Sequence, residues 1–305
     1  MKALVTGALG FVGHHLSEHL SSNGDEVVGV DRHEGGVDIT DAAAVHELLE
    51  DVKPDVVYHL AGWADVGGSW RAPVEAFRVN AEGTLNILNA AIDVGVDRVL
   101  AVSSADVYGK VSTRDLPITE ESPLRPVSPY AASKVAADYL GLQAWLGRGL
   151  PVLRVRAFNH LGPGQTDKFV APALASRIAR NELEGTDVLT IGNLSARRDF
   201  TDVRDVVRAY RMLVLSGEPG EVYNVCSGVD LAVQDLADQL LALARRPMRF
   251  EPDPELLRPV DIPVLRGDHS RLTKATGWEP EIPIDRTLAD LLEDWRSRVR
   301  ADALG

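Results

Sequence analysis

Along the first third of the chain, short apolar runs alternate with amphipathic stretches. Residues 2–5, 27–31, 56–60 and 99–103 are rich in Val, Leu and Ala with few polar interruptions, as expected of parallel strands covered on both faces. The stretch 14–22 follows the first run. The stretch 41–52 opens on Thr40 and Asp41 as a cap and stops before Pro54, and 74–95 places Leu85, Leu88, Ala91 and Ile92 at helical spacing. Strand and helix alternate, so right-handed crossovers predict an α/β fold, a doubly wound parallel sheet with its ligand crevice at the carboxyl ends of the strands. Beyond residue 167 the rhythm lapses into helical stretches such as 170–181 and 233–245, mixed with loops rich in Pro and charge. The expected division is a larger domain over 1–165, with returning segments near 200–226, and a smaller interleaved C-terminal lobe over 166–305 for the substrate.

The turn after the first run contains three glycines spaced three apart, Gly7, Gly10 and Gly13. Gly7 permits a tight turn off the strand, Gly10 lets backbone approach a pyrophosphate, and Gly13 lets the next helix pack on the sheet. That helix turns its N–H groups and positive dipole end toward the phosphates. A glycine-rich turn without ligand remains the alternative, but the second run ends in Asp31, where a dinucleotide-binding Rossmann fold presents a carboxylate to ribose hydroxyls. The third run ends in Tyr58-His59-Leu60-Ala61-Gly62, whose small residues would let backbone lie against a cofactor; His59 reads as a packed strand residue rather than a ligand.

Totals then limit the partners. The 305 residues are 45% hydrophobic, enough for a sizeable core, and the formal charge is −13. So acidic a chain argues against nucleic-acid and anionic-membrane partners. The single cysteine, Cys226, excludes an internal disulfide framework and a Cys-based zinc site, and no metal site is expected. It reads as a small buried apolar residue near a strand end. No apolar run reaches the length of a membrane span and the first strand begins at once, so a cytoplasmic protein is expected.

A second constellation bears on chemistry. Ser103-Ser104 follows the strand at 99–103, and Tyr130 and Lys134 stand at i and i+4 on one side of a helix over 128–147. A tyrosine hydroxyl is a poor acid at neutral pH unless a nearby ammonium favours the phenolate. Ser104 can donate to the same substrate oxygen. The two helices 74–95 and 128–147 carry apolar residues beyond one face, including Leu142, Trp145 and Leu146, which suggests a partner.

These residues resemble the extended short-chain dehydrogenase/reductases that act on nucleotide sugars. The resemblance covers almost the whole chain, through Thr6-Gly7-x-x-Gly10-x-x-Gly13, Ser104-Ala105-Asp106-Val107-Tyr108-Gly109, Tyr130-x-x-x-Lys134, Arg198-Asp199-Phe200, Tyr223-Asn224-Val225 and Thr276-Gly277-Trp278. It implies Tyr130 as acid/base, Lys134 as its pKa partner and ribose ligand, and Ser104 as oxyanion donor, with Asp106 beside them. For the cofactor it implies the turn Gly7, Leu9, Gly10, Phe11, Val12 and Gly13, then Asp31, Arg32, Asp38 and Ile39. Leu60, Ala61, Gly62, Asn80 and Ser103 complete that set with Tyr130 and Lys134. Ser104, Asn159, Arg198 and Arg258 are implied for substrate, the two arginines for a nucleotide diphosphate; His160 is a weaker candidate. A homodimer paired through the two helices is implied as well.

The segments Arg156–Gln165 of the sequence, Gly192-Asn193-Leu194 with Arg198–Asp205, and Leu257-Arg258-Pro259 are similar to the branch that reduces a GDP-4-keto-6-deoxy-hexose at C4 with NAD(P)H. The expected cofactor is NAD, with NADP tolerated, because Asp31 repels a 2′-phosphate while Arg32 can turn toward it. A 4-epimerase, a 4,6-dehydratase and a non-catalytic dinucleotide sensor stay open as alternatives. The family's dehydratases carry a longer Glu where Asp106 stands here.

Overall fold

The computed structural model describes residues 1–32, 36–253 and 262–304. Six parallel strands form the central sheet in the order β2-β1-β3-β4-β5-β9. The first four are β1 (Lys2–Thr6), β2 (Glu26–Val30), β3 (Val56–His59) and β4 (Arg98–Ser104). Between them lie α1 (Phe11–Ser22), α2 (Ala42–Val52), α3 (Val66–Ser69), α4 (Pro73–Phe77) and α5 (Gly83–Val94). After β4 come α6 (Pro129–Arg148), β5 (Val152–Ala157), β6 (Asn159–Leu161), α7 (Val170–Glu184), β7 (Val188–Ile191) and β8 (Arg197–Asp202). The chain ends through α8 (Val203–Ser216), β9 (Val222–Val225), β10 (Asp230–Ala232), α9 (Val233–Ala242), β11 (Arg249–Pro252), β12 (Val264–Leu265), α10 (Ser270–Thr276) and α11 (Ile284–Leu304).

Strand alternation sends side chains to two cores. On one face Ala3, Val5, Val56, Tyr58, Leu153 and Val155 pack with Leu16 and Leu20 of α1 and with Tyr210 and Leu213 of α8. On the other, Leu4, Val57, Val99 and Val152 pack under α2 and α5 with Val45, Leu49, Ile87 and Leu88. The chain departs β1 toward β2 on one side and toward β3 on the other, which makes the carboxyl end of β1 a switch point and a place for a crevice. A smaller layer, in which β8 carries β10, β12 and β6, is packed with α7, α9 and α11 around Leu174, Ile178, Leu236, Leu288 and Trp295.

Several boundaries differ from the sequence pattern for local reasons. Helix α1 begins one turn before residue 14, because extended Gly10 serves as its N-cap. The expected helix 74–95 is interrupted by a π-turn, Arg78–Glu82, in which Asn80 is buried. Helix α9 stops at Ala242 rather than 245, and the Arg245 N–H is taken by Glu182 of α7 at 2.8 Å. Trp145, expected on an outer face, lies against its own chain: a Cβ on Gly220 would come within 2.1 Å of its ring. Cys226 is fully buried just past β9. None of the described helices is long and apolar enough to cross a membrane.

Candidate active site

A cleft of about 660 Å³ opens at the carboxyl ends of β1, β3, β4 and β5. Its floor is the turn after β1, where Gly7 adopts φ +72° and the N–H groups of Gly7 and Ala8 both donate to the Val30 carbonyl, at 2.8 and 3.1 Å. A Cβ on Gly7 would stand 2.9 Å from the Ala61 nitrogen, and one on Gly13 would reach 2.0 Å from the Gly7 carbonyl oxygen. Side chains are therefore excluded where the turn, α1 and the loop after β3 meet. The cap of α1 has no side-chain acceptor, which leaves the first-turn N–H groups to a ligand. Asp31, Arg32, Asp38 and Ile39 line the cleft where the ribose of a dinucleotide would lie. Asp31 accepts from the Arg32 N–H at 2.7 Å, and hydrogen bonds from Thr40 hold the Asp38 carboxyl below the usual carboxylate range. A backbone cradle, an open helix end and acidic groups at the ribose end fit a dinucleotide.

At the far end of the cleft, Ser104, Asp106, Tyr130 and Lys134 come together, with Ser103 in the same wall. Ser104 ends β4 and caps the short 3-10 turn Ala105–Tyr108, its Oγ accepting from the Asp106 N–H at 3.2 Å. Ser104 shares the cleft wall with Tyr130, and its hydroxyl is the one influence that draws the phenol's pKa down. Helix α6 carries Tyr130 and Lys134 in its first two turns, capped by Ser128 at the Ala131 N–H, 3.1 Å. Ser69 Oγ accepts from the Tyr130 N–H at 3.1 Å and fixes the helix start from outside.

The electrostatics differ from the expected tyrosine–ammonium pairing. Burial, and next the Asp106 carboxylate, push the Tyr130 hydroxyl well above its ordinary value, against the Ser104 hydrogen bond. Lys134 donates from Nζ to the Val102 carbonyl at 3.0 Å, and burial brings it down to about 8. Desolvation penalises both charged forms, so the phenol keeps its proton. Ser103 Oγ donates to the Lys134 carbonyl at 3.1 Å and joins β4 to α6.

Two residues expected at the cofactor stand elsewhere. Leu9 is 65% exposed and lies outside the cleft lining, because the turn points its side chain to solvent. Asn80 is buried behind the wall: its Oδ1 accepts from the Trp63 N–H at 2.8 Å and its Nδ2 donates to Ser133 Oγ at 2.8 Å. Phe11, Val12, Leu60, Ala61 and Gly62 do line the cleft. On the substrate side, Asn159 and Arg198 line it, Arg198 donating from Nη1 to the carbonyls of Arg197 and Ile262. His160 faces the cleft, bonded through Nδ1 to the Phe158 carbonyl and stacked on Phe11. Arg258 lies outside the described residues.

The sequence pattern missed Trp63, Trp70, Gln165 and Phe169, which also line the cleft. Trp70 and Phe169 are 56% and 43% exposed. Trp63 directly follows Gly62, and Gln165 closes the segment Arg156–Gln165; Trp70 and Phe169 had no such signal.

Comparison with known proteins agrees with this geometry. Residues 3–226 match the model of the NAD dependent epimerase/dehydratase family. The chain is similar to GDP-6-deoxy-D-mannose reductase of Pseudomonas aeruginosa, 40% identical over 306 aligned positions covering 99% of each chain. It is 32% identical to GDP-6-deoxy-D-talose 4-dehydrogenase of Aggregatibacter actinomycetemcomitans, over 91% of this chain and 92% of that one. The solved structure of RMD from Pseudomonas aeruginosa complexed with NADPH matches with a TM-score of 0.90 and 39% identity, over 98% of this chain and 100% of that chain. With its glycine turn, serine, tyrosine and lysine in one cleft, the chain belongs to the NAD dependent epimerase/dehydratase family.

Proposed function

We propose that this protein reduces the C4 ketone of a GDP-linked 4-keto-6-deoxy-hexose, as a cytoplasmic homodimer. The observation that carries the reading is a buried, protonated Tyr130 lining one cleft with Ser104 and Lys134, within a chain 40% identical from end to end to a GDP-6-deoxy-D-mannose reductase. A bound reduced nicotinamide supplies the hydride. Tyr130 delivers its proton to the ketone oxygen, Ser104 donates a hydrogen bond to the charge that builds there, and Lys134 holds the cofactor ribose. Burial, and next the Asp106 carboxylate, keep Tyr130 protonated before the reaction, which suits an acid. Gly7, Gly10 and Gly13 hold the pyrophosphate against α1, with Asp31 on the adenosine ribose. Asn159 and Arg198 face the diphosphate of the substrate.

One observation favours a second reading. A carboxylate, Asp106, does act on Tyr130, and a 4,6-dehydratase needs carboxylate acid/base groups beside its tyrosine. The test incubates the protein with GDP-mannose and, separately, with GDP-4-keto-6-deoxymannose plus NADH or NADPH. Stoichiometric cofactor oxidation with the keto sugar alone is expected. A 4-keto-6-deoxy product from GDP-mannose without net cofactor consumption would establish the dehydratase instead.

A further inference from the structure

A chain of hydrogen bonds runs beneath the cleft from Thr6, at the end of β1, to the first turn of α6. The Ala61 N–H donates to Thr6 Oγ1 at 3.2 Å, and Thr6 Oγ1 lies 2.9 Å from His59 Nδ1. On the other side of the ring, His59 Nε2 lies 3.0 Å from Thr84 Oγ1, which donates to the Asn80 carbonyl at 2.6 Å. Asn80 clasps the backbone of Trp63 and donates to Ser133 Oγ, and Ser133 Oγ donates to the Tyr130 carbonyl at 2.7 Å. Thr6, His59, Asn80, Thr84 and Ser133 are all buried. His59 itself stays out of the cleft lining, so it touches neither ligand.

Proton counting gives the chain a direction. A threonine hydroxyl carries one proton. Thr84 gives its proton to Asn80, so toward His59 it can only accept, and the ring hydrogen sits on Nε2. Thr6 accepts from Ala61, which leaves its own proton for the bare Nδ1. One neutral tautomer satisfies every group. Burial and the Lys134 ammonium both disfavour a second ring proton and bring the imidazole down to about 3.

We propose that His59 is a positioning residue: as a neutral Nε2–H imidazole it ties Thr6, at the end of β1, and the Ala61 loop to Asn80, and through Ser133 to the helix bearing Tyr130. The wall that receives the dinucleotide and the tyrosine that serves the substrate are then set by one network. Such a network acts as a unit, so breaking it at either end has the same consequence.

The test begins on the unaltered protein. Nitrogen-15 histidine spectra in the presence and absence of NADH should show one buried histidine as the neutral Nε2–H tautomer from pH 5 to 8; an Nδ1–H or doubly protonated ring there overturns the proposal. Thr84→Val should raise the NADH dissociation constant about fivefold and lower turnover at saturating cofactor, and Thr84→Ser should restore both. Ser133→Ala should do the same, and the Thr84→Val/Ser133→Ala double variant should be no worse than the worse single. A Thr84→Val protein that melts lower yet binds NADH and turns over normally, or additive effects in the double variant, overturns it. If Thr84→Val does not fold, the spectra and Ser133→Ala still decide. NADH binding and the ring tautomer are read without any sugar substrate, so they stand apart from the proposed reductase activity.

Discussion

Asp106 lines the same cleft as Tyr130, and its carboxylate, after burial, is the second influence that holds the tyrosine's proton in place. An acid must be protonated to work, so reduction is lost as pH rises through the tyrosine's pKa. Asp106→Asn removes the repulsion that a phenolate would meet, and the alkaline limb of kcat/KM should move to lower pH while the rate at neutral pH changes little. An unmoved limb would mean that the carboxylate has no hold on the tyrosine. In the 4,6-dehydratase reading the same substitution abolishes elimination.

Tyr130→Phe keeps the ring and removes the proton. Turnover should fall ~10²–10⁴-fold with the NADH dissociation constant little altered. Single-turnover kinetics alongside fluorescence titration separates the two, and an active Tyr130→Phe protein would return the chain to a dinucleotide-binding role without catalysis.

Cofactor choice turns on Asp31, which lines the cleft beside Arg32. NADH should be preferred over NADPH, and Asp31→Ser should raise the NADPH-to-NADH ratio of kcat/KM about tenfold, the equivalent of ~1.4 kcal/mol. The two cofactors assayed side by side check this; a preference for NADPH in the unaltered protein would mean that Arg32 outweighs its neighbour.

Lys134 makes stability depend on pH in a defined direction. Its folded value, about 8, lies below the ordinary 10.5. Between the two, the unfolded chain holds a proton that the folded chain has released, so stability rises with pH, by at most about 1.4 kcal/mol per unit. Below 8 both states are protonated and this contribution is flat. The buried Cys226 thiol and Tyr130 hydroxyl, both pushed up, act in the opposite sense at higher pH. The difference between the protein and Lys134→Met isolates the lysine. Urea midpoints at pH 7.5 and 9 should diverge, with Lys134→Met lacking the upward contribution.

Val74 and Phe77 on α4 and Tyr139 and Leu146 on α6 leave large apolar surface exposed, between 50% and 72%. Such surface on touching helices marks a contact face. Light scattering should give twice the 33.0 kDa chain mass, and Phe77→Glu with Tyr139→Glu should leave monomers.

The sequence pattern carried the parallel half of the fold because its strands are apolar on both faces and helices such as α2 and α6 begin with side-chain caps, Asp41 and Ser128. It missed β5 because Arg154 and Arg156 break the apolar run, yet both are buried. Their charges meet Asp138 of α6 at 2.7 and 2.9 Å, a partner sixteen and eighteen positions away that no local pattern reports. The site was legible where spacing does physical work, as with Gly7 and Gly13 or Tyr130 and Lys134. It was illegible where a side chain acts from behind: Asn80, within the π-turn, bonds Trp63 and Ser133 behind the cleft wall, which no local spacing reports. Trp70 and Phe169 carried no periodic signal, since their exposure follows from the cleft itself.

The path of the chain through β5 and β9 governs how the molecule is made. Strand β5 leaves the central sheet at Ala157, and the strand that covers it, β9, begins only at Val222, after β6, α7, β7, β8 and α8. A nascent chain that has emerged as far as residue 165 therefore presents β5 as a bare sheet edge, open to pairing with other chains. Helix α8, which covers Val5, Tyr58 and Val155, is also still to come. The two layers must consequently mature as one cooperative unit, with the long-range β5–β9 closure late and slow. A fragment cut at residue 165 should aggregate rather than persist as a nucleotide-binding module.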